Sequence, residues 1–198
     1  MFDPITIIRT AGLIGIFLII FAESGLFFGF FLPGDTLLFV SGIFASQGYL
    51  NIYALIILCI IASVMGDSVG YWTGKKFGPK LFKKDKGFFF QKKRLEDAED
   101  FYKKHGKYTI ILARFIPVIR TFAPIVAGIG KMKYSTFLKF NIIGGISWAT
   151  LMITLGYFLG RVIPNPDTYI LPIVIGIFVL SFVPVLIQIA KKIFKTKI

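Results

Sequence analysis

Ala113-Arg114-Phe115-Ile116-Pro117-Val118-Ile119-Arg120-Thr121 sets two arginines into otherwise apolar sequence with a proline between them. An ionised side chain at bilayer depth costs from about 2.5 to more than 10 kcal/mol, so it normally faces protein or a water-filled cavity. Proline makes a poor interior residue for a continuous helical span. The combination predicts a broken, re-entrant hairpin whose exposed backbone groups line a polar cavity. The same pattern lies upstream, where Glu23 and Asp35 sit in apolar sequence around Pro33-Gly34. Two hairpins entering from opposite faces would bring Glu23 and Asp35 toward Arg114 and Arg120.

Composition places these hairpins in a bilayer: 56% of the 198 residues are hydrophobic, 17% are aromatic, and the mean hydropathy is +0.77. Thr36 to Gly66, Phe140 to Gly160 and Thr168 to Ala190 each meet the criterion of about 18 uncharged residues for a span. No Ser/Gly-rich linker divides the chain, which predicts one membrane domain over 1–198. Ala11 to Ala22 has the look of a signal-peptide core, but Glu23 follows it and no small-residue cleavage site does, so the N-terminus is expected to be retained. Cys59 is the one cysteine and His105 the one histidine. A disulfide within the chain, a cysteine zinc cluster and a Ser-His-Asp arrangement are therefore not to be expected; we expect no metal, no cofactor and no enzyme.

The formal charge of +13 gathers in two places, Lys75 to Lys107 and the tail Lys191, Lys192, Lys195 and Lys197. That is a positive-inside pattern, which predicts that both segments are cytoplasmic, against anionic headgroups. It does not suggest nucleic acid, because no soluble, aromatic-interleaved platform accompanies the charge. Within the first segment, residues 94–104 have apolar positions every three to four residues, with Glu99–Lys103 and Asp100–Lys104 as i,i+4 pairs. An amphipathic surface helix is expected there.

Gly70-Tyr71-Trp72-Thr73-Gly74-Lys75 recurs as Gly156-Tyr157-Phe158-Leu159-Gly160-Arg161, and Val40-Ser41-Gly42-Ile43 recurs as Val126-Ala127-Gly128-Ile129, both at one offset. We read two related halves. With Lys75 inside and Arg161 followed by a further span to the basic tail, the copies have opposite orientations. The expected fold is an all-α membrane protein of two inverted halves, each a re-entrant helical hairpin plus a transmembrane helix, followed by a C-terminal transmembrane helix. The first half covers 10–74, with its hairpin over 10–48 and its transmembrane helix over 49–74. A basic cytoplasmic segment follows over 75–107. The second half covers 108–160, with its hairpin over 108–130 and its helix over 140–160; the C-terminal helix covers 168–190. Pro33, Gly34 and Gly42 are expected to shape the first hairpin, and Pro117, Pro124 and Gly128 the second.

These residues resemble the DedA family, whose membrane domain is also called the VTT or SNARE-associated domain. The resemblance runs from about Phe17 to Gly160. It rests on Phe21-Ala22-Glu23-Ser24, Pro33-Gly34-Asp35, Gly66-Asp67-Ser68-Val69-Gly70-Tyr71-Trp72-Thr73-Gly74, Arg114-Phe115-Ile116-Pro117-Val118-Ile119-Arg120, Ala127-Gly128 and Asn141 to Trp148. It implies a lipid transporter of the bacterial or archaeal plasma membrane. Bacterial relatives are linked to moving undecaprenyl phosphate with dependence on the proton motive force, and eukaryotic relatives scramble phospholipids. The family's functional acids and arginines fall on Glu23, Asp35, Arg114 and Arg120.

The chemistry of the residues agrees with that implication. Arginine offers a planar fork of donors to phosphate oxygens and stays protonated when desolvated, which makes Arg114 and Arg120 the candidate phosphate ligands. Burial favours the neutral carboxyl and a neighbouring arginine the charged one, so Glu23, Asp35 and, third, Asp67 are candidate proton-exchanging groups. Membrane lipids, either a polyprenyl phosphate or a phospholipid, are the expected partners, with an oligomer left open. Two other readings use the same residues: a phospholipid scramblase, and a proton-coupled ion transporter in which the arginines are structural counter-ions. Plainer still, the charges would only lock the hairpins together.

Overall fold

The computed structural model describes residues 4–26, 32–81, 106 and 108–162. Among them are six helices and no strand: α1 (Pro4–Gly25), α2 (Gly34–Ser46), α3 (Ile52–Leu81), α4 (Thr109–Ala113), α5 (Pro117–Ile129) and α6 (Tyr134–Val162). The expected C-terminal helix over 168–190, the amphipathic segment over 94–104, the Phe-rich run 27–31 and His105 lie outside the described residues.

The breaks fall where backbone chemistry places them. Pro33 stands at the N-terminal boundary of α2, whose first turn carries Asp35, an acid at the positive end of the helix dipole. Gly48 adopts φ +81° in the turn leaving α2, a conformation that favours glycine. Asn51 Oδ1 then accepts the Ala54 N–H at 3.0 Å, capping the start of α3. In the second half, Ile116 is extended because the following proline disfavours the helical conformation, and Pro117 starts α5. Arg114 thus lies in a break between a one-turn helix and α5. Pro124 lies within α5, where it offers no backbone N–H.

Among the described residues, two helices are long and apolar enough to cross a membrane: Ile52–Gly78, of 27 residues, and Tyr134–Val162, of 29. At about 1.5 Å per residue both exceed the roughly 30 Å hydrocarbon core. They are longer than the sequence suggests: the first continues to Leu81, into the lysine-bearing segment expected to begin at 75, and the second starts six residues before Phe140.

The two 13-residue helices each pack on a long helix. α2 lies chiefly against α6, and α5 against α3. Glycines form both seams. A Cβ at Gly42 would overlap the Ile153 carbonyl of α6, and one at Gly128 would overlap the Tyr71 carbonyl of α3. Reciprocally, Gly156 abuts Phe39 and Gly74 abuts Ile125. The sequence register pairs Gly156 with Gly70, yet in the packing Gly74, one helical turn further on, occupies the matching place. α1 packs on α3, with Gly25 and Gly66 backbones in contact. Ile20, Leu38, Leu55, Cys59, Ala149 and Ile153 are fully buried in the main apolar cluster, and Tyr71, Phe137 and Ala127 centre a second.

Candidate functional site

The ionisable residues singled out from the sequence converge between these helices as two arginine stations. At the first, Arg120, in the first turns of α5, opens its fork between two helices of the other half. Nη2 donates to Glu23 Oε1 from the end of α1, and Nη1 donates to Asp35 Oδ1 from the start of α2. The Glu23 carboxylate rests against Gly34, where any Cβ would collide with it, so Gly34 is required for that approach. Oε2 of Glu23 and Oγ1 of Thr121 are buried without a hydrogen-bond partner among the described residues.

At the second station one nitrogen of Arg114, Nη2, donates to Asp67 Oδ2 on α3 and, at 2.5 Å, to Asn141 Oδ1 on α6. Asn141 Nδ2 in turn donates to the Val64 carbonyl at 3.3 Å. Gly144 and Gly145 leave room for the arginine stem, with a Cβ at Gly144 falling 3.4 Å from Arg114 Cδ. Asn141, Gly144, Gly145 and Trp148 share one face of α6 at i, i+3, i+4 and i+7.

Trp148 stands between the stations. Its indole N–H donates to Asp35 Oδ1 at 2.9 Å, and both guanidinium groups lie over its ring, Arg120 at 4.9 Å and Arg114 at 5.8 Å from the centroid. Both distances are within the reach of a cation–π contact, about 6 Å. Access differs among these groups: the side chains of Arg120 and Asp35 keep 11% and 19% of their exposure, those of Arg114 and Asp67 5% and 9%, and that of Glu23 only 2%.

The sequence places both acids of the first hairpin toward both arginines. The structure divides them: Glu23 and Asp35 go to Arg120, and Arg114 is matched by Asp67. Trp148 and Asn141 carry no charge in an apolar helix, and the sequence marks them only as the ends of the stretch Asn141 to Trp148, with no site role; their spacing with the glycine pair is the available signal. Among the remaining residues named from the sequence, Pro33, Gly34 and Gly42 lie along α2, and Pro117, Pro124 and Gly128 along α5. Among the described residues no group of three or more His, Cys, Asp or Glu side chains is placed to hold a metal ion.

A cavity of about 660 Å³ runs along one face of α2, lined by Leu37, Val40, Ser41 and Phe44, and is flanked by Ile16 of α1 and Leu50. It starts two residues beyond Asp35 and ends at the turn, where both amide atoms of Gln47 are buried without a hydrogen-bond partner among the described residues.

The VTT domain matches residues 32–158. Protein DedA of Escherichia coli (strain K12) is 44% identical over 178 residues, 89% of this chain and 81% of that protein. An uncharacterized membrane protein of Mycobacterium leprae (strain TN) is 43% identical over 169 residues, 85% of this chain and 75% of its own length. Inner membrane protein YqjA of Escherichia coli (strain K12) is 32% identical over 146 residues, 74% of this chain and 66% of that protein. No solved structure matches the chain.

Proposed function

The chain belongs to the VTT-domain family of membrane proteins that includes DedA, and on that premise we propose that it carries a phosphate-bearing lipid across the plasma membrane. Undecaprenyl phosphate is the favoured substrate, protons the coupling ion, and the protein a transporter with no catalytic chemistry of its own. We take its two halves as an inverted pair of re-entrant hairpins and long helices, with segment 75–107 and the C-terminus cytoplasmic. The exchanged glycine seams, α2 on α6 and α5 on α3, support that arrangement.

One observation carries the reading: Arg120, with 11% of its side chain exposed, commits its two donor groups to two separate carboxylates, the buried Glu23 and the half-buried Asp35, which is the most accessible charged group of the site. A buried guanidinium left bare is costly, by about 3–5 kcal/mol when one partner of such a pair is removed. A phosphate presents several oxygens to the same planar fork, so it can replace Glu23 and Asp35 without the arginine ever being unpaired. The carboxylates act as placeholders. Arg114, deeper and held by Asp67 and Asn141, is the second ligand on the route. A mostly apolar cavity on another face of α2, lined by Leu37, Val40, Ser41 and Phe44 and by none of the charged site residues, offers room for a hydrocarbon chain on the helix that carries Asp35, and this favours an amphiphile over a bare ion.

The ion-transporter reading has its own support, because both site arginines are already matched by acids in the manner of structural counter-ions. Reconstitution separates the readings. Proteoliposomes with labelled undecaprenyl phosphate, and separately with labelled phosphatidylethanolamine, are expected to move the first faster and in response to a proton gradient. Equal, gradient-independent movement of both lipids would make the protein a scramblase. Movement of neither, with proton-linked cation flux, would favour the ion transporter.

A further inference from the structure

We infer that Trp148 is the positioning residue of the phosphate site: it keeps Asp35 in place while its bond to Arg120 is exchanged for substrate, and it orients the Arg120 fork. This rests on the reading of Arg120 as a ligand of a lipid phosphate. Asp35 Oδ1 has two donors, Arg120 Nη1 and the indole N–H of Trp148 at 2.9 Å. When a phosphate takes the arginine, the indole bond remains, so Asp35 keeps a donor and stays poised to take Arg120 back when substrate leaves. Glu23 has no second side-chain donor among the described residues: its Oε2 sits against the backbone of Gly34. The ring acts on the guanidinium directly. Arg120 Cζ lies 4.9 Å from the ring centroid, within reach of a cation–π contact, so the indole holds the guanidinium that the anion would meet. Trp148 is 2% exposed and its α6 backbone is packed on α2, so the ring has little freedom to leave this place. Arg114 lies over the same ring at 5.8 Å, so one rigid side chain fixes both stations relative to each other.

The chain has two tryptophans, and Trp72 lies on the exposed side of α3, away from the site. Trp72→Phe therefore makes Trp148 the only indole emitter. In phosphatidylcholine vesicles this protein is expected to show a saturable emission change on titration with undecaprenyl phosphate, and Arg120→Ala in the same background should abolish it. Trp148→Phe keeps an aromatic face and loses the donor. Binding of labelled undecaprenyl phosphate should weaken about tenfold, the scale of one hydrogen bond to a charged group, with the maximal transport rate less affected. Trp148→Leu removes face and donor, and a larger loss is expected. Wild-type affinity in Trp148→Phe and Trp148→Leu, with binding lost in Arg120→Ala, would overturn the role of Trp148 and leave the phosphate reading standing. So would labelled lipid binding without any change in Trp148 emission. Wild-type binding by Arg120→Ala would instead overturn the phosphate reading itself. Should Trp148→Leu fail to fold, the phenylalanine variant and the emission titration still decide.

Discussion

Arg120 joins Nη1 to Asp35 and Nη2 to Glu23, a geometry that needs two donors fixed in one plane. Lysine keeps the charge as a single point and cannot reproduce the fork. Losing one charge-assisted hydrogen bond is worth about 1.5–3 kcal/mol, so Arg120→Lys should lower lipid transport by about tenfold or more while the protein still folds. Alanine is a different lesion, because it leaves the buried Glu23 and the half-buried Asp35 carboxylates facing one another without a counter-charge. Arg120→Ala should lower the detergent melting temperature, and adding Glu23→Gln with Asp35→Asn should recover much of that loss without recovering transport. Unimpaired transport by Arg120→Ala would remove this residue from the substrate path. Arg114 offers a contrasting case at the same scale. Asp67→Asn keeps an acceptor for its Nη2, whereas Asp67→Ala leaves a guanidinium with only Asn141, so alanine should destabilise by several kcal/mol more in the same melting assay. The four charges Glu23, Asp35, Arg114 and Arg120 were legible because ionised groups in apolar sequence demand partners. Which acid meets which arginine was not, since Asp67 and Arg114 are brought together by the packing of α3, α4 and α6, far apart in sequence. Trp148 was hidden for another reason: in an apolar helix a tryptophan reads as packing until its N–H is seen to have a carboxylate.

The helices are positioned by backbone contact at glycines, and those contacts set how closely the arms of each hairpin approach the long helices. Gly42 against the Ile153 carbonyl and Gly128 against the Tyr71 carbonyl are contacts with main chain, which cannot rotate away as a side chain can. Gly42→Ala and Gly128→Ala should each force their seam apart and cost about 1–3 kcal/mol, read as a lowered melting temperature in detergent. Gly15→Ala is the control: nothing lies within 4 Å of its added Cβ, and alanine is the better helix former by up to about 1 kcal/mol. Equal loss at all three positions would show that helix geometry in general, and not the seams, was being measured. Element boundaries followed the sequence where proline and glycine acted, at Pro33, Gly48 and Pro117. They departed from it at the ends of α3 and α6, because lysine at a helix end is compatible with continued helix once the chain leaves the apolar layer, its stem lying along the helix and its charge reaching outward. The repeat shows the same limit, since a match of letters aligned Gly70 with Gly156, whereas the contacts that matter pair Gly74 with it.

For the whole molecule, the +13 charge and the lysines of 75–107 predict which side of the membrane each end occupies. Cys59 is fully buried, so Cys59→Ala gives a cysteine-free background without placing a polar group in the core. Single cysteines between Lys83 and Lys93 should resist an impermeant thiol reagent on intact cells, while one at Asn165 should react; the opposite pattern would invert the proposed orientation. On the proposed orientation and function the proton gradient has a direction, and Glu23 and Asp35 are the groups proposed to use it. On the proposed function, a phosphate that displaces Glu23 from Arg120 removes a counter-charge from that acid and adds a neighbouring anion, and both changes favour its protonation. Lipid and proton then bind together, so lower pH on the loading side should strengthen lipid binding, and by linkage lipid should promote proton uptake to the same extent. The two acids are not equivalent in this exchange. Asp35 keeps the Trp148 N–H when Arg120 is taken, whereas Glu23 is left in a buried position with no second side-chain donor among the described residues. Glu23 should therefore be the acid that takes the proton. Glu23→Gln mimics its protonated state, and in proteoliposomes it should still move labelled undecaprenyl phosphate down a lipid gradient while losing most of the acceleration given by an imposed pH gradient. Asp35→Asn should keep more of that acceleration but bind lipid with altered affinity, because its part is to compete for Arg120. A full response to the pH gradient in Glu23→Gln would exclude Glu23 as the coupling group, and a loss confined to Asp35→Asn would assign the proton to the acid that holds the indole.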